Sequence, residues 1–276
     1  MNATLADILE QSKRLRINAT LLKGQSLAAL YPDPESRQCG DIDLYISRPD
    51  QRRRLIDALG IKSYQNHADG STTFSYRGSM VELHPHLLDI HSRRAIKRLH
   101  LLKPVAVTME TELPGIGTVT IPAPETMLLT LSAHAFKHAI GRGIGLRQLC
   151  DIALVSKRLA SEVDRAEMDR IFRAAGLERW NRMLYSFLTL RLGLPVESVP
   201  TAEEFQPNER LAVRLERIIA RGGNFGQHGS GLISRKGVVF TALSFVRGIG
   251  FALSIAPREA TACFFSLVKG RLGMRG

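Results

Sequence analysis

Two carboxylates, Asp41 and Asp43, stand one residue apart in the stretch CGDIDLYI, residues 39–46. Ile42, Leu44 and Ile46 alternate with them. Read as a strand, the stretch turns both acids to one face and three aliphatic side chains to the other. Adjacent like charges repel, and a hard divalent cation, which takes oxygen ligands, makes such a pair tolerable. A third acid is needed if two ions are to bridge the attacking and leaving oxygens of a phosphoryl transfer. Glu82 in MVELHP is the candidate. Its strand alternates Met80, Glu82 and His84 on one face with Val81 and Leu83 on the other, and the hairpins between could bring it beside Asp41 and Asp43. On its own, D-x-D suits a solvated strand edge equally well.

Upstream, Lys23-Gly24-Gln25-Ser26 reads as a strand-to-helix turn. Its N–H groups and the helix start make an anion site, and Gly24 lets the backbone come close to phosphates. Lys23 and Arg37 add charge, and Ser26 can cap the helix. A glycine turn, an acid pair and a later acid, in that order, are far more specific than any one of them.

The elements that must position these groups follow from pattern. Residues 4–16 read as a helix with Leu5, Ile8 and Leu9 on one stripe. ATLLKG is a short strand, SLAALY a helix, DIDLYI a strand and residues 50–59 a helix ending at Gly60. IKSYQNH and STTFSYR flank Ala68-Asp69-Gly70, a hairpin signal, and Gly78-Ser79 turns into MVELHP. Residues 89–100 read as helical. VAVTMETEL and GTVTIPA flank Pro114-Gly115, another hairpin. From Pro124 the pattern is helical: 125–140, 146–160, 164–175, 177–192, 207–221, 238–254 and 257–270, with Pro124, Pro207 and Pro257 at first-turn positions.

This helical half carries its own polar groups. His134 and His138 share a helix face at i, i+4. The spacing suits zinc, but Ala135 stands where H-E-x-x-H has its glutamate; packing and substrate contact are the competing readings. Arg147 and Asp151, also i, i+4, form either an ordinary ion pair or an arginine positioned to meet a phosphate. His84 shares the face of Glu82; a plain surface histidine and a supporting role near the metals are the competing readings. Gly141, Gly143 and Gly145 approach G-x-G-x-x-G, but the third is misplaced and no strand precedes it, so a helix–helix link is expected. GGNFGQHGSG, residues 222–231, is a loop, either a linker or a lid over the cleft.

LLKGQSLAALY, then Arg37, CGDIDLYI and VELH, resembles the DNA polymerase beta-type nucleotidyltransferase superfamily. Within it the chain is most similar to the bacterial "uncharacterised nucleotidyltransferase" family, marked by LLKG-x-x-L-A, R-x-x-GDIDL and V-E-L-H. The likeness continues through AHAFKH (133–138), LRQLCDIA (146–153) and GNFG (223–226) and covers roughly residues 19–230. It implies that Asp41, Asp43 and Glu82 are the catalytic acids and hold Mg²⁺, or Mn²⁺ in its place. It implies that Gly24 and its neighbour Gln25 grip the triphosphate, where the superfamily usually has Gly-Ser or Gly-Gly and this chain has Ser26 one step later. Substrate contact by His134 and His138 also gains from it.

Composition narrows the partners. The chain has 276 residues, 44% of them hydrophobic, enough for one large or two modest domains with real cores. The net charge of +12 attracts polyanions, nucleotides or anionic surfaces. Most of it comes from the segment from Ile218 on, with eight Lys/Arg against the single acid Glu259, which suits either a solvated basic face or a polyanion or membrane-surface contact. Cys39, Cys150 and Cys263 are odd in number and far apart, which speaks against a disulfide framework or a zinc site and for a reducing compartment. The N-terminus lacks a signal-peptide pattern. The apolar region Gly237–Val268 is cut by Arg247, Arg258 and Glu259, so buried helices rather than a membrane span are expected, and the chain is expected in the cytoplasm.

The expected architecture is α+β. A polymerase beta-like mixed sheet with flanking helices occupies residues 1–122, and a mostly helical region over 123–276 closes the cleft and supplies substrate contacts. The expected activity moves a nucleoside monophosphate from an NTP to an acceptor hydroxyl, a small molecule, protein or RNA, with release of pyrophosphate. The alternatives are a catalytically silent nucleotide-binding or interaction module of the same fold, or a polyanion-binding protein.

Overall fold

The computed structural model describes residues 1–67, 69–102, 107–140, 143–222 and 250–272. They form two compact units, one built on Met1–Leu88 and Ala106–Met127, the other on Asp89–Val105 and Leu128–Arg271.

The first unit holds a seven-stranded mixed sheet. Its strands are β1 (Thr20–Leu21), β2 (Asp41–Tyr45), β3 (Gln65–Asn66), β4 (Thr72–Tyr76), β5 (Ser79–His84), β6 (Thr108–Leu113) and β7 (Gly117–Pro122), in the order β3-β4-β5-β2-β1-β7-β6. The turn at Gly78 joins β4 to β5, and the one at Pro114-Gly115 joins β6 to β7, both as antiparallel pairs. β2 lies at the centre, parallel to β5 and antiparallel to β1. Its alternation decides its two faces: Ile42, Leu44 and Ile46 are fully buried, as are Val81 and Leu83 on β5. Helices α1 (Asn2–Arg14) and α3 (Pro49–Ala58) bury Leu5, Ile8, Leu55 and Ile56. Tyr76 Oη donates to Asp7 Oδ2 at 2.5 Å and Ser79 Oγ to Thr4 Oγ1 at 3.3 Å, fastening α1 to the sheet.

Two elements differ from their sequence patterns. The strand expected over residues 19–24 is cut to two residues, because the chain turns at Gly24; the Leu22 N–H still donates to the Asp43 carbonyl at 3.0 Å. Ser26 does not cap the following helix. That helix, α2 (Gln25–Ala28), starts one residue earlier with Gly24 at the cap position, and the Ser26 hydroxyl points back to the Lys23 carbonyl at 3.4 Å.

The second unit is helical: α4 (Arg93–Leu99), most of α5 (Pro124–Ile140), α6 (Leu146–Arg158), α7 (Arg165–Ala175), α8 (Glu178–Leu192), α9 (Glu209–Gly222) and α10 (Pro257–Leu272). Helix α4 is shorter than its pattern because Ser92 caps it, Oγ accepting from the Ala95 N–H. In α9, Asn208 Oδ1 accepts from the Leu211 N–H, so the start falls after Pro207. Trp180 centres the core: it is fully buried, its indole N–H donates to the Ser132 carbonyl at 3.0 Å, and its ring meets Phe136 edge to face at 5.4 Å. Arg191 clamps α8 to α9 through Glu209 and Glu216. Residues 250–255 are helical; the rest of the helix expected over 238–254, and the glycine-rich stretch beyond Gly222, lie outside the described residues. No helix among the described residues is long and apolar enough to cross a membrane.

Candidate active site

The parallel pairing of β2 with β5 sets Asp41 beside Met80, Asp43 beside Glu82 and Tyr45 beside His84. Register partners on one face lie close enough for their side chains to interact, so Asp43 and Glu82 converge. His84 comes from the same face two residues on, and its Nε2 lies 2.7 Å from Asp43 Oδ1. Its Nδ1 lies 3.9 Å from Glu82 Oε1. Lys23 Nζ reaches the same Asp43 oxygen at 3.4 Å. Asp43 is almost fully buried, whereas Asp41, Glu82 and His84 are half-buried, so the group opens to solvent on one side.

One ligand atom each from Asp43, Glu82 and His84 falls within 4.8 Å of the others. Two carboxylates and an imidazole in that space offer a donor set that fits a divalent cation. Asp41, expected as a third ligand, is not among these ligand atoms, but its carboxyl registers their field. Burial and the Asp43 charge push its carboxyl above the usual range; Glu82 adds to the rise, and Lys23 and His84 oppose it. A cation would remove the penalty on the ionised form.

The glycine turn abuts the same strand. Gly24 has φ +71° and ψ −114°, and a Cβ built there would lie 3.3 Å from the Asp41 carbonyl oxygen. Only glycine takes this conformation without strain. Arg37 Nη1 donates to the Gly24 carbonyl at 3.0 Å and to Cys39 Sγ at 3.3 Å, which ties the turn to the approach of β2. Gln25 is buried, and both its side-chain nitrogen and oxygen lack a hydrogen-bond partner among the described residues. Burying an unpaired amide costs about 1–3 kcal/mol.

His134, His138, Arg147 and Asp151 belong to the helical unit. His134 Nδ1 meets Asp89 Oδ2 at 3.0 Å, Lys137 Nζ meets Asp89 Oδ1 at 2.9 Å, and His138 Nε2 lies 3.0 Å from His134 Nε2. An ionised carboxylate only accepts, so His134 Nδ1 carries a proton and donates to Asp89. Burial alone would raise the Asp89 carboxyl, but the His134 hydrogen bond and the nearby Lys137 and His134 charges hold it well below the usual range. Asp89 is the member of this network that the sequence pattern does not reveal; its partners are 45 and 48 residues away. Arg147 is exposed in the first turn of α6, and Asp151 is buried.

The family model described as "Uncharacterised nucleotidyltransferase" matches residues 1–193. No curated protein and no solved structure matches the chain.

Proposed function

The chain belongs to this uncharacterised nucleotidyltransferase family, and on that premise we propose that it transfers a nucleoside monophosphate from an NTP to an acceptor hydroxyl. The acceptor oxygen forms a bond to the α-phosphorus, the bond from that phosphorus to the β-bridging oxygen breaks, and pyrophosphate leaves with the electron pair. The observation that carries the reading is the convergence of Asp43, Glu82 and His84 beside the Gly24 turn.

Asp41, Asp43 and Glu82 would hold Mg²⁺ or Mn²⁺, with His84 beside them. Such ions neutralise charge on the triphosphate oxygens and lower the pKa of the attacking hydroxyl. Lys23 positions Asp43 and adds positive charge on the phosphate side. The Gly24 turn brings backbone N–H groups to the phosphates. Glu82, half-buried and in register with Asp43, is assigned to accept the acceptor's proton. Positioning and charge neutralisation supply most of the acceleration.

The test is incubation with Mg²⁺ or Mn²⁺ and each α-labelled NTP, followed by a search for label on the protein, on RNA and on small molecules of a cell extract. Label that appears with native protein and vanishes with the Asp41→Asn/Asp43→Asn variant supports the reading. Equal labelling by that variant overturns it. Metal-dependent NTP binding without any transfer points instead to a silent nucleotide-binding module.

A further inference from the structure

We propose that the helical unit carries a second, metal-independent anion site, formed where α4 meets α10, which takes a phosphate-monoester ligand bearing a ring. A cavity of about 550 Å³ lies there, lined by Arg93, Arg94, Arg258, Thr261 and Phe265, with Ser92 and His91 at its base. That volume falls within the usual range for small-molecule sites.

The charge balance of the cavity is one-sided. Glu259 is the acid nearest in sequence to Arg258, but its side chain is turned inward and only 2% exposed. Its oxygens accept from the His91 N–H at 2.6 Å and the Ser92 N–H at 3.0 Å, so it serves as an anchor for the start of α4. The same commitment argues against a metal ion at His91, Glu259 and Cys263, although their ligand atoms lie within 4.8 Å of one another. Three exposed guanidiniums therefore share the cavity, and none of the three has an acidic partner among the described residues. Thr261 Oγ1 donates within its own helix turn, and Ser92 Oγ accepts from the Ala95 N–H. Recognition falls to the arginines, whose planar forks match phosphate oxygens in pairs.

The other wall is apolar. Phe265 is 63% exposed and stands edge to face with Phe264 at 5.8 Å. An exposed ring beside unpaired guanidiniums selects a ligand with a ring as well as a phosphate. The site uses none of the acids on β2 and β5 and stands whether or not the nucleotidyl-transfer reading holds.

The experiment is calorimetric titration of the full chain in EDTA and low salt with phenyl phosphate and with inorganic phosphate. Phenyl phosphate should bind saturably and several-fold more tightly than inorganic phosphate. Arg94→Gln/Arg258→Gln should weaken it about tenfold or more, the scale of one lost charge-assisted pair. Phe265→Ala should erase the preference for the ring, and Asp43→Asn should leave binding unchanged. Arg93→Gln alone serves if the double variant misfolds, with an unchanged melting temperature as the control. No saturable binding, or binding indifferent to these arginines, overturns the proposal. Retention of heparin or RNA without phenyl phosphate binding also overturns it, in favour of a polyanion surface.

Discussion

Asp43 and Glu82 are register partners across the parallel β2–β5 pair, and the buried Asp43 shares one oxygen between His84 and Lys23. Divalent cations should therefore bind the resting protein without nucleotide. At a concentration about 100 times the dissociation constant, the gain in stability is ~2.7 kcal/mol. Thermal melts with Mn²⁺ and with Mg²⁺ should show the rise, and Asp43→Asn or Glu82→Gln should remove it. A His84→Ala protein that loses the Mn²⁺ response more than the Mg²⁺ response would mark the imidazole as a direct ligand. A melting temperature indifferent to both ions in the native protein would exclude the cation site.

Asp41 supplies the opposite sign. Burial and the Asp43 charge raise its carboxyl in the folded chain. A raised acid is a folding penalty above its folded value, and the penalty fades as pH falls through that value toward the unfolded 3.8. Asp41→Asn should thus stabilise the metal-free protein at pH 7, by roughly 0.2–1 kcal/mol for one relieved like-charge contact. Urea titrations at stepped pH should show the gain shrinking toward acid. The same variant should lose labelling in the transfer assay, so stability and activity part company at one residue.

Asp89 behaves the other way. Its carboxyl is held well below the ordinary range by His134 and Lys137 despite burial. The stability it confers is present above the unfolded value of 3.8 and is lost as pH falls through the lower folded value. With 22% of its side chain exposed, solvent screens part of the effect. Asp89→Asn should cost about 1–2 kcal/mol at pH 7, and the difference should vanish only as pH falls through the lowered folded value, where the carboxyl becomes neutral. Trp180, the only tryptophan and buried in the same unit, gives the fluorescence signal for that measurement.

The alternation of Asp41, Ile42, Asp43 and Leu44 was legible because a period of two leaves a strand no choice of faces. Glu82 was legible for the same reason, while its position directly beside Asp43 depended on a parallel pairing that the chain makes only after crossing through β3 and β4. The placement of β1 antiparallel to β2 and parallel to β7 had no local signal, since two residues carry no pattern. Ser26 looked like a helix cap by type, but the close approach of Gly24 to the Asp41 carbonyl moved the helix start one residue earlier. The helices from Pro124 to Leu192 followed their apolar period closely. Asp89, and the capture of two N–H groups by Glu259, were not legible, because each joins residues 45 or more positions apart.

Gly24 offers the sharpest separation between folding and chemistry. Its φ of +71° with ψ −114° is open to glycine alone, and a methyl group there would press the Asp41 carbonyl oxygen at 3.3 Å. That oxygen belongs to the first residue of β2, so the turn cannot yield without moving the strand that carries Asp43. Gly24→Ala should cost about 1–3 kcal/mol of stability, the usual range for a residue forced into a sparsely populated conformation. Because Arg37 donates to the Gly24 carbonyl, Arg37→Ala should loosen the same turn without adding bulk. If the turn grips phosphates, both variants should lose NTP binding while the Mn²⁺-induced rise in melting temperature survives at Asp43 and Glu82. Loss of both responses together would mean that Gly24 acts only by holding β2 in place.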